Sequence, residues 1–128
     1  MAFTIRNLDH VVLRVADLER AIRFYTDVLG CREERRVESI RLVQLRAGES
    51  LIDLIHAEEI PPAGAGNMDH FALRIAPFDE PALRRHLEAH GMEVGEVVER
   101  YGAEGNGPSL YIEDPDGNTV ELKGPPSD

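Results

Sequence analysis

The sequence predicts an α+β fold of two βαβββ modules, whose sheets form an open, incomplete barrel around a cleft. Three observations carry that expectation. The decapeptide Asn7–Ala16 (NLDHVVLRVA) returns as Asn67–Ala76 (NMDHFALRIA), with Asn, Asp, His, Leu, Arg and Ala unchanged and the other positions trading one apolar side chain for another. Each copy is followed by a helical pattern that stops at a glycine, Gly30 and Gly91. Each half then closes on an apolar run holding one acid, Ile52-Asp53-Leu54 and Val120-Glu121-Leu122. A repeat of this length is one supersecondary unit used twice.

The first strand of each module follows from alternation. Val11, Leu13 and Val15 share one face and His10, Val12 and Arg14 the other; Phe71, Leu73 and Ile75 oppose His70, Ala72 and Arg74. Period-2 alternation with bulk on one side marks a half-buried strand, and the bulky side should carry a helix. Asp17 is a good N-cap for the first helix. Leu18, Ala21, Ile22, Tyr25, Val28 and Leu29 recur at helical spacing as far as Gly30. Asp79-Glu80-Pro81 opens the second helix, with Leu83 and Leu87 on its apolar face and Gly91 past its end. Strands are expected over 32–37, 40–45 and 51–56, then 93–100, 109–112 and 119–123. Asp114-Pro115-Asp116-Gly117-Asn118 is a turn, with proline fixing φ and glycine free to take φ > 0. The glycines of Gly102–Pro108 suggest a surface loop without an apolar anchor, mobile until the cleft is filled, and the tail 124–128 should fray.

At 128 residues with 42% apolar composition, the chain is read as a single domain over 1–128. Module one spans 5–57, a linker 58–66, and module two 67–123. No stretch is long and apolar enough for a transmembrane helix, and the first residues lack a basic-then-apolar leader pattern. Cys31 is the only cysteine, so no intrachain disulfide can form, which fits a reducing cytoplasm. A net charge of −10 argues against nucleic-acid and anionic-membrane partners, which need basic surface. The edges of a curled, open sheet favour a homodimer.

The residues with chemistry lie on the faces turned from the helices. His10 and His70 line the open side of their sheets, and Glu121 shares its face with Thr119 and Lys123. Two histidines and a carboxylate entering a cleft from three strands form a facial triad, leaving coordination positions open on Fe(II), Mn(II), Zn(II) or Ni(II). Asp53 is the repeat counterpart of Glu121 and could be a fourth ligand, a base or a bystander. Tyr111 lies on the Glu121 side of its hairpin, where it could donate a proton or simply pack. Arg14 and Arg74, on the histidine face, could hold an anionic substrate or pair with an acid. Tyr101 could close over a ligand. His86 and His90, spaced i, i+4, read mainly as a solvated face, and His56 as structural or exposed. No nucleophile motif and no phosphate-binding glycine fingerprint is present.

Leu8–Leu18 together with Ala21–Gly30 resembles the opening module of the vicinal oxygen chelate superfamily, and Ser109–Leu122 resembles its closing hairpin. That superfamily includes glyoxalase I, extradiol dioxygenases, fosfomycin-resistance transferases, methylmalonyl-CoA epimerase and bleomycin-resistance proteins. The resemblance covers nearly the whole chain and specifies fold more closely than reaction. It puts the family's metal-binding histidines on His10 and His70 and its last-strand glutamate on Glu121. Asp53 stands where four-ligand members carry a longer glutamate, which separates the chain from an ordinary glyoxalase I. The implied function is a metal-dependent dioxygenase, lyase or isomerase acting on a small molecule with vicinal oxygens. Catalysis would then involve Glu121, Asp53 and Tyr111. The alternative is a metal-free protein that sequesters a drug or metabolite.

Overall fold

A computed structural model describes residues 4–61 and 66–127. Linker residues 62–65, the start of the N-terminal segment and Asp128 lie outside the described residues. The chain divides into two compact units, Met1–Ile60 and Pro61–Asp128.

In the first unit, β1 (His10–Val15) leads into α1 (Leu18–Arg23), then β2 (Arg32–Val37), β3 (Leu42–Ala47) and β4 (Ser50–His56). Their order across the sheet is β1-β4-β3-β2. β1 runs parallel to β4, with Val12 opposite Asp53, and β3 is antiparallel to both β4 and β2. A parallel pair needs a long crossover, which the helix and the two outer strands supply. Asp17 caps α1, its carboxylate accepting from the Arg20 amide. The helix is α-helical only to Arg23 and widens to a π-helical turn over Phe24–Val28. Thr26 sits in that turn and donates its hydroxyl to the Ile22 carbonyl at 2.8 Å. Leu13, Val15, Ala21, Ile22, Phe24, Tyr25, Val43, Leu45, Ile52 and Leu54 are buried. Each of the large ones contributes roughly 1.5–3 kcal/mol of transfer free energy.

The second unit repeats the plan. β5 (Phe71–Arg74), α2 (Glu80–Ala89), β6 (Val98–Gly102), β7 (Gly105–Glu113) and β8 (Thr119–Lys123) form a sheet of order β5-β8-β7-β6, again with its first and last strands parallel. Asp79 caps α2 through the Ala82 amide, with proline in the first turn. Leu87, Leu110, Ile112, Val120 and Leu122 are buried. Asp114 ties the β7–β8 turn, its carboxylate accepting from the Asp116 and Asn118 amides, while Gly117 takes φ 81°. The architecture is thus α+β, two four-stranded sheets built alike. Among the described residues, no helix is long and apolar enough to cross a membrane.

Four local expectations need correction. β3 starts at Leu42, because Glu38–Ile40 forms a 3₁₀ turn and Arg41 a left-handed corner at φ 51°. β6 starts at Val98, because the Arg84 guanidinium donates to the Val94 and Gly95 carbonyls, which removes those acceptors from a ladder. Gly102–Pro108 is not a loop but the core of the β6–β7 hairpin, with Arg100 opposite Gly107 and Gly102 opposite Gly105. Its glycines make room. A Cβ on Gly107 would lie 2.5 Å from the Pro125 carbonyl and 2.9 Å from Lys123 Nζ, and one on Gly102 would lie 3.3 Å from Lys123 Cε. The tail is not frayed through Ser127 either, because Gly124 donates its amide to Pro108 and Ser127 to Asn106.

Candidate metal centre

In the second unit His70 sits just before β5 and Glu121 in the middle of β8. The register partner of Glu121 on β5 is Ala72, whose small side chain leaves the carboxylate clear to meet the imidazole. His70 Nε2 lies 3.1 Å from Glu121 Oε1, and His70 Nδ1 lies 2.7 Å from Asp69 Oδ2. Both ring nitrogens therefore face carboxylates. Glu121 is only 7% exposed. Two ligand atoms each about 2.0–2.2 Å from one ion and at right angles would be about 3 Å apart. The His70–Glu121 separation fits two neighbouring positions on one ion.

Tyr111, opposite Glu121 in the β7–β8 ladder, presents the edge-to-face contact of its ring to His70, with centroids 5.2 Å apart. Arg100 lies over the same ring, its guanidinium carbon 4.2 Å from the centroid. Its Nη1 donates to the Ser109 hydroxyl at 2.6 Å and to the Ser109 carbonyl at 3.2 Å. What engages Tyr111 is its ring: among the described residues its hydroxyl has no hydrogen-bond partner.

In the first unit His10 opens β1, its Nδ1 2.8 Å from Asp9 Oδ2. That carboxylate holds His10 above the ordinary histidine range, and the charge of Asp53 pushes the same way. Asp53 itself is 4% exposed and accepts from Gln44 Nε2 at 3.1 Å. Its other oxygen is buried without a hydrogen-bond partner. Asp53 thus differs from Glu121 in more than length: its cross-strand neighbour is an amide that claims it, where Glu121 faces a tyrosine ring.

Within neither unit do three or more histidine, cysteine, aspartate or glutamate side chains of the described residues converge into a ready metal cage. Of the other candidates, Arg74 is 3.6 Å from Glu104, the ion-pair alternative for that residue. His56 Nδ1 accepts from Arg41 at 3.0 Å. His86 and His90 are exposed with ring centroids 4.9 Å apart, and Tyr101 is exposed on β6. Sequence reasoning missed Asp9 and Asp69, although both stand beside the repeated histidines in both copies. It also missed Arg100, whose place on the Glu121 face depends on the hairpin register.

A family model described as the glyoxalase/bleomycin resistance protein/dioxygenase superfamily matches residues 7–122. The virulence protein STM3117 of Salmonella typhimurium is 32% identical over 92% of this chain and 83% of its own length. Its crystal structure superposes with a TM-score of 0.78, covering 97% of this chain and 100% of that one at 29% identity. Lactoylglutathione lyase of Salmonella typhimurium is 32% identical, covering 88% of each chain. The glutathione transferase FosA of Serratia marcescens is 28% identical over 92% of this chain and 80% of its own. With the repeated strand-and-helix plan and the family match spanning both units, the chain belongs to the glyoxalase/bleomycin resistance protein/dioxygenase superfamily.

Proposed function

We propose that this chain is a divalent-metal-dependent enzyme acting on a small molecule with two adjacent oxygens. The carrying observation is the contact of His70 with Glu121, backed by Asp69 on the other ring nitrogen. His70, Glu121 and the repeat-equivalent His10 would hold the ion, Fe, Mn, Zn or Ni by donor chemistry. When bound, such an ion supplies Lewis-acid polarisation to the chelated oxygens of the substrate. Asp69 and Asp9 orient the two imidazoles through Nδ1, leaving Nε2 for coordination. Asp53, with one buried oxygen lacking a donor, is the proton acceptor in this reading. Tyr111 packs against His70 and limits the movement of its ring. The superfamily includes enzymes, among them the lyase and the transferase related to this chain. The working protein is taken as a homodimer, since β1 and β5 each leave one sheet edge without a strand partner inside their unit, and as cytoplasmic from its single cysteine.

Metal analysis after purification without chelator, followed by anaerobic reconstitution with each of the four ions, tests this. Oxygen uptake with catechols selects a dioxygenase. Turnover of hemithioacetals or 2-oxoacids without oxygen selects a lyase or isomerase. Tight binding of an aromatic drug with no retained metal and no turnover would replace the enzyme with a sequestering protein.

A further inference from the structure

On the face of the second sheet that carries Glu121, Arg100 stands opposite Gly107, which has no side chain. Its guanidinium therefore reaches diagonally across β7 to Ser109 and Tyr111. Ser109 is fully buried and neutral. Among the described residues Arg100 has no carboxylate partner, whereas Arg36, Arg46, Arg74 and Arg84 all have one.

The next cation on the face is in the same condition. Lys123, opposite Ser109 in the β7–β8 ladder, is 6% exposed, and among the described residues its ammonium donates only to the Gly105 and Gly124 carbonyls. Two positive charges thus flank Ser109 with no acid between them. The nearby carboxylate of the face, Glu121, is engaged with His70. Withdrawing cations from water without counter-charge is unfavourable, and a ligand bearing the missing charge relieves it. Arg100 spends one nitrogen on Ser109, and a guanidinium has five N–H donors in a planar fork suited to an oxyanion.

We infer that Arg100 anchors an oxyanion, carboxylate or phosphonate, on a substrate whose chelating end lies at His70 and Glu121. The inference rests on the proposed function for the second half of that statement only. Tyr111 touches both ends, its ring centroid 5.2 Å from that of His70 and 4.2 Å from the Arg100 guanidinium carbon. Lys123 lies beneath the hairpin and acts through its field rather than by contact. Arg74, already 3.6 Å from Glu104, is not the anchor.

Two measurements decide it. In metal-loaded protein, 3,4-dihydroxybenzoate and 3,4-dihydroxyphenylphosphonate should bind about tenfold or more tightly than catechol. Arg100→Met should erase that preference while leaving catechol binding within about twofold, and Arg100→Lys should keep part of it. In the wild-type apoprotein, benzoate and methylphosphonate should shift the guanidinium nitrogen resonances of Arg100, and the stronger of the two identifies a planar or a tetrahedral oxyanion. An anion preference equal in wild type and Arg100→Met, or no movement of the Arg100 resonances with either anion, overturns the inference. Failure of catechol to bind the metal-loaded chain would instead defeat the chelation reading, with the apoprotein titration still deciding the role of Arg100.

Discussion

His70 and Glu121 meet across β5 and β8 at 3.1 Å, whereas Asp53, in the equivalent strand of the first unit, gives its carboxylate to Gln44. The two acids of the repeat have diverged in partner as well as in length. Replacing Glu121 by Gln should therefore cost far more bound metal than replacing Asp53 by Asn. Metal-to-protein ratios after dialysis, with circular dichroism as the folding control, check this. Equal losses from both variants would show that the ranking of the acids is wrong.

Asp69 and Asp9 should act on metal affinity without touching metal. Each accepts from Nδ1 of its histidine, at 2.7 and 2.8 Å, which fixes the tautomer that offers Nε2. Both aspartates are largely solvent-exposed, so the effect belongs at the low end for such partners. Asp69→Asn should weaken metal binding by roughly tenfold or less. Competition against a coloured chelator gives the ratio, and a loss as large as that of His70→Ala would make Asp69 a ligand instead.

How much of this was legible in the sequence depends on which interactions decide each element. Strand alternation, the Asp17 and Asp79 caps and the glycine stops are local, and the corresponding elements formed near the expected residues. The shared face of His70 and Glu121 is legible from the alternation of two strands, whereas their direct contact is not. Gly102–Pro108 misled because glycine marks both flexible loops and places where another group comes close. Here the close groups, the Lys123 side chain and the tail, are remote in sequence. Arg84 capturing the carbonyls of Val94 and Gly95 is equally non-local, so the late start of β6 had no local signal. Arg100 was hidden for the same reason, since its neighbours depend on a hairpin register that was not expected.

The hairpin correction has its own test. Gly107→Ala places a Cβ against the Pro125 and Gly124 carbonyls, which are backbone and cannot swing away, so it should destabilise by about 1–3 kcal/mol. Denaturant unfolding measures this. The amides of Gly124 and Ser127 are hydrogen-bonded to the hairpin, and their exchange protection should be alike with and without a chelating ligand. Ligand-induced protection of Gly105–Gly107 would restore the idea of a lid.

The last prediction concerns acid sensitivity of the β2 edge. β2 carries charge on nearly every residue, a pattern that discourages edge-to-edge pairing with other chains. Glu34 accepts hydrogen bonds from the Arg46 guanidinium on β3, and Glu33 accepts from Arg36 on its own strand. Those hydrogen bonds hold both carboxyls below the ordinary glutamate range. A folded-state value below the unfolded one means that the unfolded chain takes up protons first as pH falls. The contribution is therefore complete above the usual glutamate range and is lost as pH drops through the folded values. Because these groups are at the surface, the effect should be small and weakened by salt. Thermal melts from pH 7 down to pH 3 should show the wild type losing its advantage over Glu34→Gln in that acidic window, with less difference at high salt. An advantage that instead persisted undiminished at pH 3 would show that the Glu34–Arg46 pair stabilises β2 by something other than charge.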